Sequence, residues 1–527
     1  MVDYKKYEVT DGDHKTDLKI IRKTVVINTV PARAITLTIG VFFDGTGNNT
    51  NNTNQRLLQD CTAEDVGMNS ADAQSCMRKL KMGSIGAGSY LNYYTNIHWL
   101  STLYIQDEDL SDDKEIFQGS VYVSGIGTSA GKPDSAIGKG IGAWVEGVVD
   151  KTDEAVNSIT AEIKRFLGVI KNQNILIKKV QFDVFGFSRG AAAARHFSNR
   201  VLSQDKAITA AINKGLETAS RYGKSAGEVR FLGIFDTVAA VGGLKNMFNV
   251  HGGGNPGIDL ALPVGVAEHV FQITAMHECR YNFSLNSIKE AWPELSLPGV
   301  HSDVGGGYNP QEREYIFLTR PKFETVYEGV TERDTQVFRQ TENMIPTLRI
   351  TPEIAPIVAN STIRTETWYD YNTTPGQKRA GVIQKRVGAA VTAERVITND
   401  WAKVCMRVML DAAKDSGVLF EEIQEKDKNL SVPLELEPLI DKAIAQGKAI
   451  RCGKKIIPFT QEEMNLIGKY IHCSANWNAV IVKDVWLDGK EVKVIRGAVR
   501  ATEITGFVDR PNPSWKRTVW NMRGEEV

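Results

Sequence analysis

The sequence predicts an α/β fold: a mostly parallel sheet covered by helices, extended towards the C-terminus by an additional α+β region. Three observations predict it. Short apolar runs alternate with helical patterns from residue 35 to residue 235, and such alternation builds parallel sheets buried on both faces. The stretch DVFGFSRGAAAAR (183–195) passes from an apolar run through a serine between glycines straight into a helix former. Beyond about residue 320, charged helical stretches and further strand-like runs replace the alternation.

Residues 1–34 read as a polar leader without an apolar signal core. Ile35 to Phe43 alternates and then runs apolar, as a buried strand does, and ends in the turn-rich Asp44-Gly45-Thr46-Gly47-Asn48-Asn49. A polar insertion follows to about residue 88. Thr95 to Ile105 reads as a helix capped by Thr95, and Val121 to Ser124 as a strand leading into a glycine-rich loop. Asp153 to Ile170 spaces Val156, Ile159, Ile163, Phe166, Leu167 and Ile170 at helical intervals. Lys179 to Phe185 and Glu228 to Phe235 are buried-strand runs. His269 to Phe283 reads as helical. In the additional region, Asp400 to Lys428 and Leu434 to Gly447 read as helices, and Val480 to Ile504 as strands turning at Asp488-Gly489. The tail brings Pro511, Pro513, Trp515 and Trp520 close together in sequence. No chemistry is legible in residues 326–527.

Composition narrows the class. The 527 residues suffice for two domains, or for one large domain with additions. Lys+Arg 63 balances Asp+Glu 63, so no nucleic acid is expected as a partner. The longest uncharged stretch, Gly83 to Gln106, is too rich in Ser, Asn, Thr and Gln to cross a bilayer. Export by an ordinary N-terminal signal is not expected. The six cysteines form no C-x-x-C pair, so neither a metal site nor a cofactor is expected, and reduced thiols are. Gly125-Ile-Gly127-Thr-Ser-Ala130 imitates a dinucleotide loop, but Pro133 interrupts the helix that loop needs.

Gly186-Phe187-Ser188-Arg189-Gly190 fits G-x-S-x-G, the nucleophile elbow of α/β-hydrolases. A side chain at either glycine would block the close approach of the turn to its neighbours. An ordinary junction in which serine only caps the helix has the same local pattern. Serine needs a base, and the base an orienting acid, in the chain order Ser, Asp, His. Asp236 ends the strand-like VRFLGIF at the edge where ligands bind in such sheets; Asp259, in a Gly/Pro-rich loop, is the weaker candidate. His301 stands at the entrance to a glycine-rich loop and is the best base, whereas His269 and His277 lie in the helical pattern and His472 is distant. Asp303 is the alternative acid. The oxyanion donors expected are the backbone N–H of Arg189 and one from the Asp44-Gly45-Thr46 loop, Asp44 and Gly45 foremost. His251-Gly-Gly-Gly254 follows Ser188 where oxyanion motifs of that kind precede it. The charge-poor segment from Ala239 to Phe271, with Met247 and Phe248, is a possible lid or interfacial surface, or a buried core loop.

Taken together, FFDGTGNN (42–49), TNI (95–97), GIGT (125–128), GFSRGAAAAR (186–195), FLGIFDTVAAVG (231–242) and LPGVHSDVGGGY (297–308) resemble the class-one type VI secretion lipase effectors and their α/β-hydrolase relatives. The resemblance covers roughly residues 35–320. It implies a phospholipase A acting on membrane glycerophospholipids of rival bacteria, with Ser188 as nucleophile, Asp236 as acid and His301 as base. It also implies delivery on a secretion spike protein to the target-cell periplasm or membrane, and neutralisation by a cognate immunity protein. The division expected is a leader (1–34), an α/β-hydrolase catalytic domain (35–325) and an additional region (326–527) for membrane or spike binding. The rival readings are a soluble carboxylesterase with the same triad and a non-catalytic adaptor on the hydrolase fold.

Overall fold

The computed structural model describes residues 7–11, 14–18, 33–58, 92–108, 115–128, 144–169, 175–217, 221–239, 258–371, 374, 376–377, 380–424, 426–477, 480–487, 490–497 and 509–527. Its centre is a six-stranded sheet. The strands are β1 (Arg33–Phe43), β2 (Ile116–Val123), β3 (Ile175–Phe187), β4 (Glu228–Phe235), β5 (His269–Ala275) and β6 (Glu294–Leu297). They lie in the order β2-β1-β3-β4-β5-β6, and every neighbouring pair is parallel.

Parallel strands need crossovers, and helices supply them: α1 (Thr50–Leu58), α2 (Asn96–Leu103), α3 (Trp144–Val169), α4 (Arg189–Leu202) and α5 (Lys206–Leu216). The period of two along each strand sorts its side chains between two cores. Ile39, Val41, Phe182 and Val184 join Ile159, Ile163, Phe197 and Ile212 of α3, α4 and α5 on one face. Phe42, Phe185, Phe187 and Phe231 face the other core, with Ile97 and Leu100 of α2.

That second core is closed from beyond residue 325. Following the short α6 (His301–Gly305), α7 (Asp400–Asp415) and α8 (Glu437–Arg451) bring Val404, Val408, Met409, Leu439 and Ala443 against the sheet. A Cβ on Gly233 of β4 would lie 2.7 Å from Met409 Sδ, so helix and sheet meet with no room between them. A second, antiparallel sheet carries the long β10 (Gln384–Thr398) between β7 (Gln311–Phe317) and β8 (Lys322–Tyr327) on one edge and β9 (Thr362–Tyr371) on the other. The expected boundary at residues 325/326 falls within β8. Val480–Leu487 and Lys490–Gly497 pair as an antiparallel hairpin, flanking the expected Asp488-Gly489 turn.

One element differs in kind from the sequence reading. His269–Ala275 is a strand, not a helix, buried at every position but His269. Short apolar runs that are buried on both faces have no period by which to tell strand from helix.

Candidate active site

The turn at Ser188 is built by what surrounds it. Ser188 has φ 58° and ψ −122°, and its side chain does not cap helix α4. A single residue at positive φ between β3 and α4 is the strained elbow geometry. A Cβ on Gly186 would fall 2.7 Å from Ala191 Cα, and one on Gly190 would overlap the carbonyl oxygens of Phe43 and Asp44. The glycines therefore let the elbow sink against its own helix and against the end of β1. Gly190→Val is expected to destabilise the fold by at least about 1–3 kcal/mol, because backbone cannot yield as a side chain does. Thermal unfolding checks this; an unchanged midpoint would show that the loop after β1 gives way freely.

Strand β4 places the candidate acid, Asp236. Asp236 follows Phe235 with φ 43°, and Ser188 N–H donates to the Phe235 carbonyl (3.0 Å), tying elbow and acid across adjacent strands. Its carboxylate is wholly buried. Oδ2 accepts from His301 Nδ1 at 2.5 Å, and Oδ1 from the Ala275 amide at 2.9 Å. Arg517 adds a fork, Nη1 to Oδ1 at 2.6 Å and Nη2 to Oδ2 at 2.9 Å. Burial alone would push this carboxyl up. Arg517 and His301 outweigh burial and hold it well below the usual carboxylate range.

His301 opens α6, with its ring 4.6 Å from that of Phe187 and 5.0 Å from that of Phe283. Its own N–H donates to Glu278 Oε2 at 3.2 Å. Burial lowers its pKa; Asp236 raises it, but not enough to restore the ordinary value. The ring is therefore neutral at neutral pH. With Asp236 ionised, the Nδ1 proton points at the carboxylate and Nε2 keeps its lone pair. The burial of Glu278 is likewise outweighed, chiefly by Arg280, which sets its carboxyl at about 2. Among the described residues, His301 and Asp236 are hydrogen-bonded, and Ser188 is tied by its backbone to Phe235, the residue before Asp236, at the carboxyl ends of β3 and β4.

The other expected residues lie elsewhere or are otherwise engaged. Asp303 accepts from the amides of Val300 (2.9 Å) and His472 (2.8 Å) and from His472 Nδ1 (2.6 Å), so its partner is His472 rather than His301. Asp259 closes its own turn through the Ala261 amide (3.1 Å). The Asp44 amide donates to Val123 O (2.9 Å) and the Gly45 amide to Asp44 Oδ1 (2.7 Å), so both expected oxyanion donors are engaged within the loop in this structure. Asp44 instead ties the loop together. It also accepts from Thr95 (2.7 Å) and Tyr122 (2.5 Å), and burial lifts its carboxyl to about 6. The Thr46 hydroxyl beside it is buried without a partner. Arg189 opens α4, its amide at the positive end of the helix. Met247, Phe248 and His251 lie outside the described residues, whereas Ile258, Leu260, Leu262 and Val266 are core. Among the described residues, no group of three or more His, Cys, Asp or Glu is placed to hold a metal ion, and no helix is long and apolar enough to cross a membrane.

Arg517, and the pairing of His472 with Asp303, escaped sequence reasoning. Arg517 lies 281 residues from Asp236 in a tail whose legible signal is its prolines and tryptophans. His472 lies 169 residues from Asp303.

The parallel sheet, helix-covered on both faces with the elbow at its centre, defines an α/β-hydrolase-like fold. The family described as the type VI secretion phospholipase effector Tle1-like catalytic domain matches residues 198–326, which include Asp236 and His301. A solved structure of a Tle1 effector bound to the VgrG spike of the type 6 secretion system is 48% identical, covering 99% of this chain and 100% of that one, with a TM-score of 0.75. The chain belongs to the Tle1 family of type VI secretion phospholipase effectors. A second structure, an uncharacterized protein from Pseudomonas aeruginosa, is 16% identical over 83% of this chain and 53% of that one, and its TM-score of 0.35 carries no argument. No curated protein matches the chain.

Proposed function

We propose that the chain is a phospholipase A whose nucleophile is Ser188. The observation that carries this reading is the His301–Asp236 bond placed beside a serine held at positive φ. Ser188 Oγ attacks the acyl carbonyl as His301 Nε2 takes its proton. The ester C–O bond breaks, and the lysophospholipid alkoxide leaves with the proton returned by His301. Water, deprotonated by the same nitrogen, then releases the fatty acid and restores Ser188. Charge on the tetrahedral oxygen is met by the Arg189 amide and, in place of the Asp44 and Gly45 amides, by the Thr46 hydroxyl. No metal takes part. By analogy with the spike-bound relative, the chain rides on a VgrG-type spike; a cognate immunity protein and action at the target-cell membrane belong to the same reading.

The test is digestion of defined phospholipid vesicles, with lipid products resolved by mass spectrometry, by wild type and Ser188→Ala, before and after EDTA. Lysophospholipid and fatty acid are expected from the wild type alone, undiminished by EDTA. Activity on soluble esters without vesicle hydrolysis would make the chain a carboxylesterase, and absence of both would make it an adaptor. Met247 and Phe248, as an interfacial lid, predict a further result: changing both to serine reduces vesicle hydrolysis while a short-chain soluble ester is cleaved as before. Equal loss on both substrates, with a lowered melting temperature, would assign these side chains to the core.

A further inference from the structure

The tail that supplies Arg517 is fastened along the segment that leads to His301. Arg510 O accepts from the Tyr281 amide (3.0 Å), and the Asn512 amide donates to Cys279 O (2.8 Å). Val519–Trp520 then runs parallel to Leu285–Asn286, with Leu285 N–H on Thr518 O (2.9 Å) and Ser287 N–H on Trp520 O (2.8 Å). Between these fastenings Arg517 turns inward, its side chain 7% exposed. Its Nε donates to Phe283 O at 2.6 Å. The Phe283 ring lies between His301 and the Arg280 guanidinium, whose carbon stands 3.3 Å from its centroid.

We propose that Arg517 is a positioning residue for the catalytic pair: its guanidinium locks the Asp236 carboxylate from behind, and Asp236 in turn locks the His301 ring. Two parallel N–H···O bonds and the Ala275 amide leave the carboxylate one orientation, in which Oδ2 faces Nδ1. A lone hydrogen bond would leave it free to rotate. Arg517 therefore completes a triad whose three members lie between residues 188 and 301. This inference rests on the triad reading above.

The charges around His301 set the sign of the test. The ring is influenced by Asp236 and Glu278, both anionic, and by Arg280, cationic, and Arg517 stands behind it on the Asp236 carboxylate. Removing Arg517 makes the surroundings one charge more negative and favours the imidazolium, so the neutral base is present only at higher pH.

The experiment measures the second-order rate of labelling of Ser188 by a fluorophosphonate from pH 5 to pH 10, on the full chain, for wild type, Arg517→Gln and Arg517→Lys, with Ser188→Ala as control. Arg517→Gln is expected to move the acid limb up by about 1 pH unit and to lower the plateau by roughly 10²-fold as the carboxylate swings. Arg517→Lys keeps the charge and loses the fork, so its limb stays while its plateau falls by about 10-fold. Curves for both variants that overlay the wild type, or equal plateau losses with no movement of the limb in Arg517→Gln, overturn the proposal. If Arg517→Gln is unfolded by circular dichroism, Arg517→Lys decides: a lowered plateau on an unmoved limb supports the role, and wild-type behaviour removes it. Labelling that persists in Ser188→Ala would instead overturn the triad reading itself.

Discussion

Ser188→Ala is expected to lower kcat on phospholipid by on the order of 10⁶, and His301→Ala by a similar factor. The losses should not multiply when combined, because nucleophile and base act as one unit. The fold should survive the first change. Ser188 makes no side-chain cap to α4, and alanine carries the same Cβ through the same positive φ. Losing His301 removes a buried ring packed on Phe187 and Phe283, so some loss of stability accompanies that change. Initial rates on vesicles, read beside melting curves, separate the two effects. A folded Ser188→Ala protein that kept even a hundredth of the activity would end the nucleophile assignment.

What was legible in the sequence was local. The elbow could be read because its glycines, its serine and the alanines after it lie within ten residues, and each obeys a rule of backbone sterics. The strand end at Asp236 was legible for the same reason: the apolar run Phe231-Leu-Gly-Ile-Phe235 stops at a carboxylate. His301 could be ranked because chain order and loop position are one-dimensional facts. What could not be read was contact between distant segments. Hydrophobic period says that Val404 and Met409 are buried, but not that they cover the sheet that carries Ser188. Arg517 sits in a tail that looked structural, yet it holds the acid through the strongest kind of side-chain pairing. That the Asp44 and Gly45 amides are engaged was illegible for a related reason: which N–H is occupied depends on how the loop closes. Asp44 turns its own carboxylate back onto Gly45.

The two regions are therefore joined in their chemistry as well as in their packing. The helices beyond residue 325 complete the second core, His472 holds Asp303 at the base of the loop that begins with His301, and Arg517 holds Asp236.

Asp236→Asn and Asp303→Asn should separate the two carboxylates cleanly. In Asp236→Asn the amide can accept from Arg517 or Ala275, but its NH2 group then turns towards His301 Nδ1. The ring answers by carrying its proton on Nε2, the wrong tautomer for taking a proton from Ser188. A loss of roughly 10⁴ in kcat is expected, smaller than that for Ser188→Ala because the ring and the oxyanion donors remain. In Asp303→Asn a different unit breaks. Asp303 raises the pKa of His472 against burial and accepts three hydrogen bonds. An amide oxygen can keep the two backbone N–H bonds, but its NH2 then faces His472 Nδ1, which must change tautomer, and the carboxylate charge is lost. That change should cost about 1–3 kcal/mol of stability, as losing a hydrogen bond to a charged group does, while kcat measured well below the melting point stays within about tenfold of wild type. Rates and denaturant midpoints taken on the same preparations decide it. If Asp303→Asn were folded and inactive while Asp236→Asn turned over normally, the acid of this site would be Asp303, and the short His301–Asp236 contact would be packing alone.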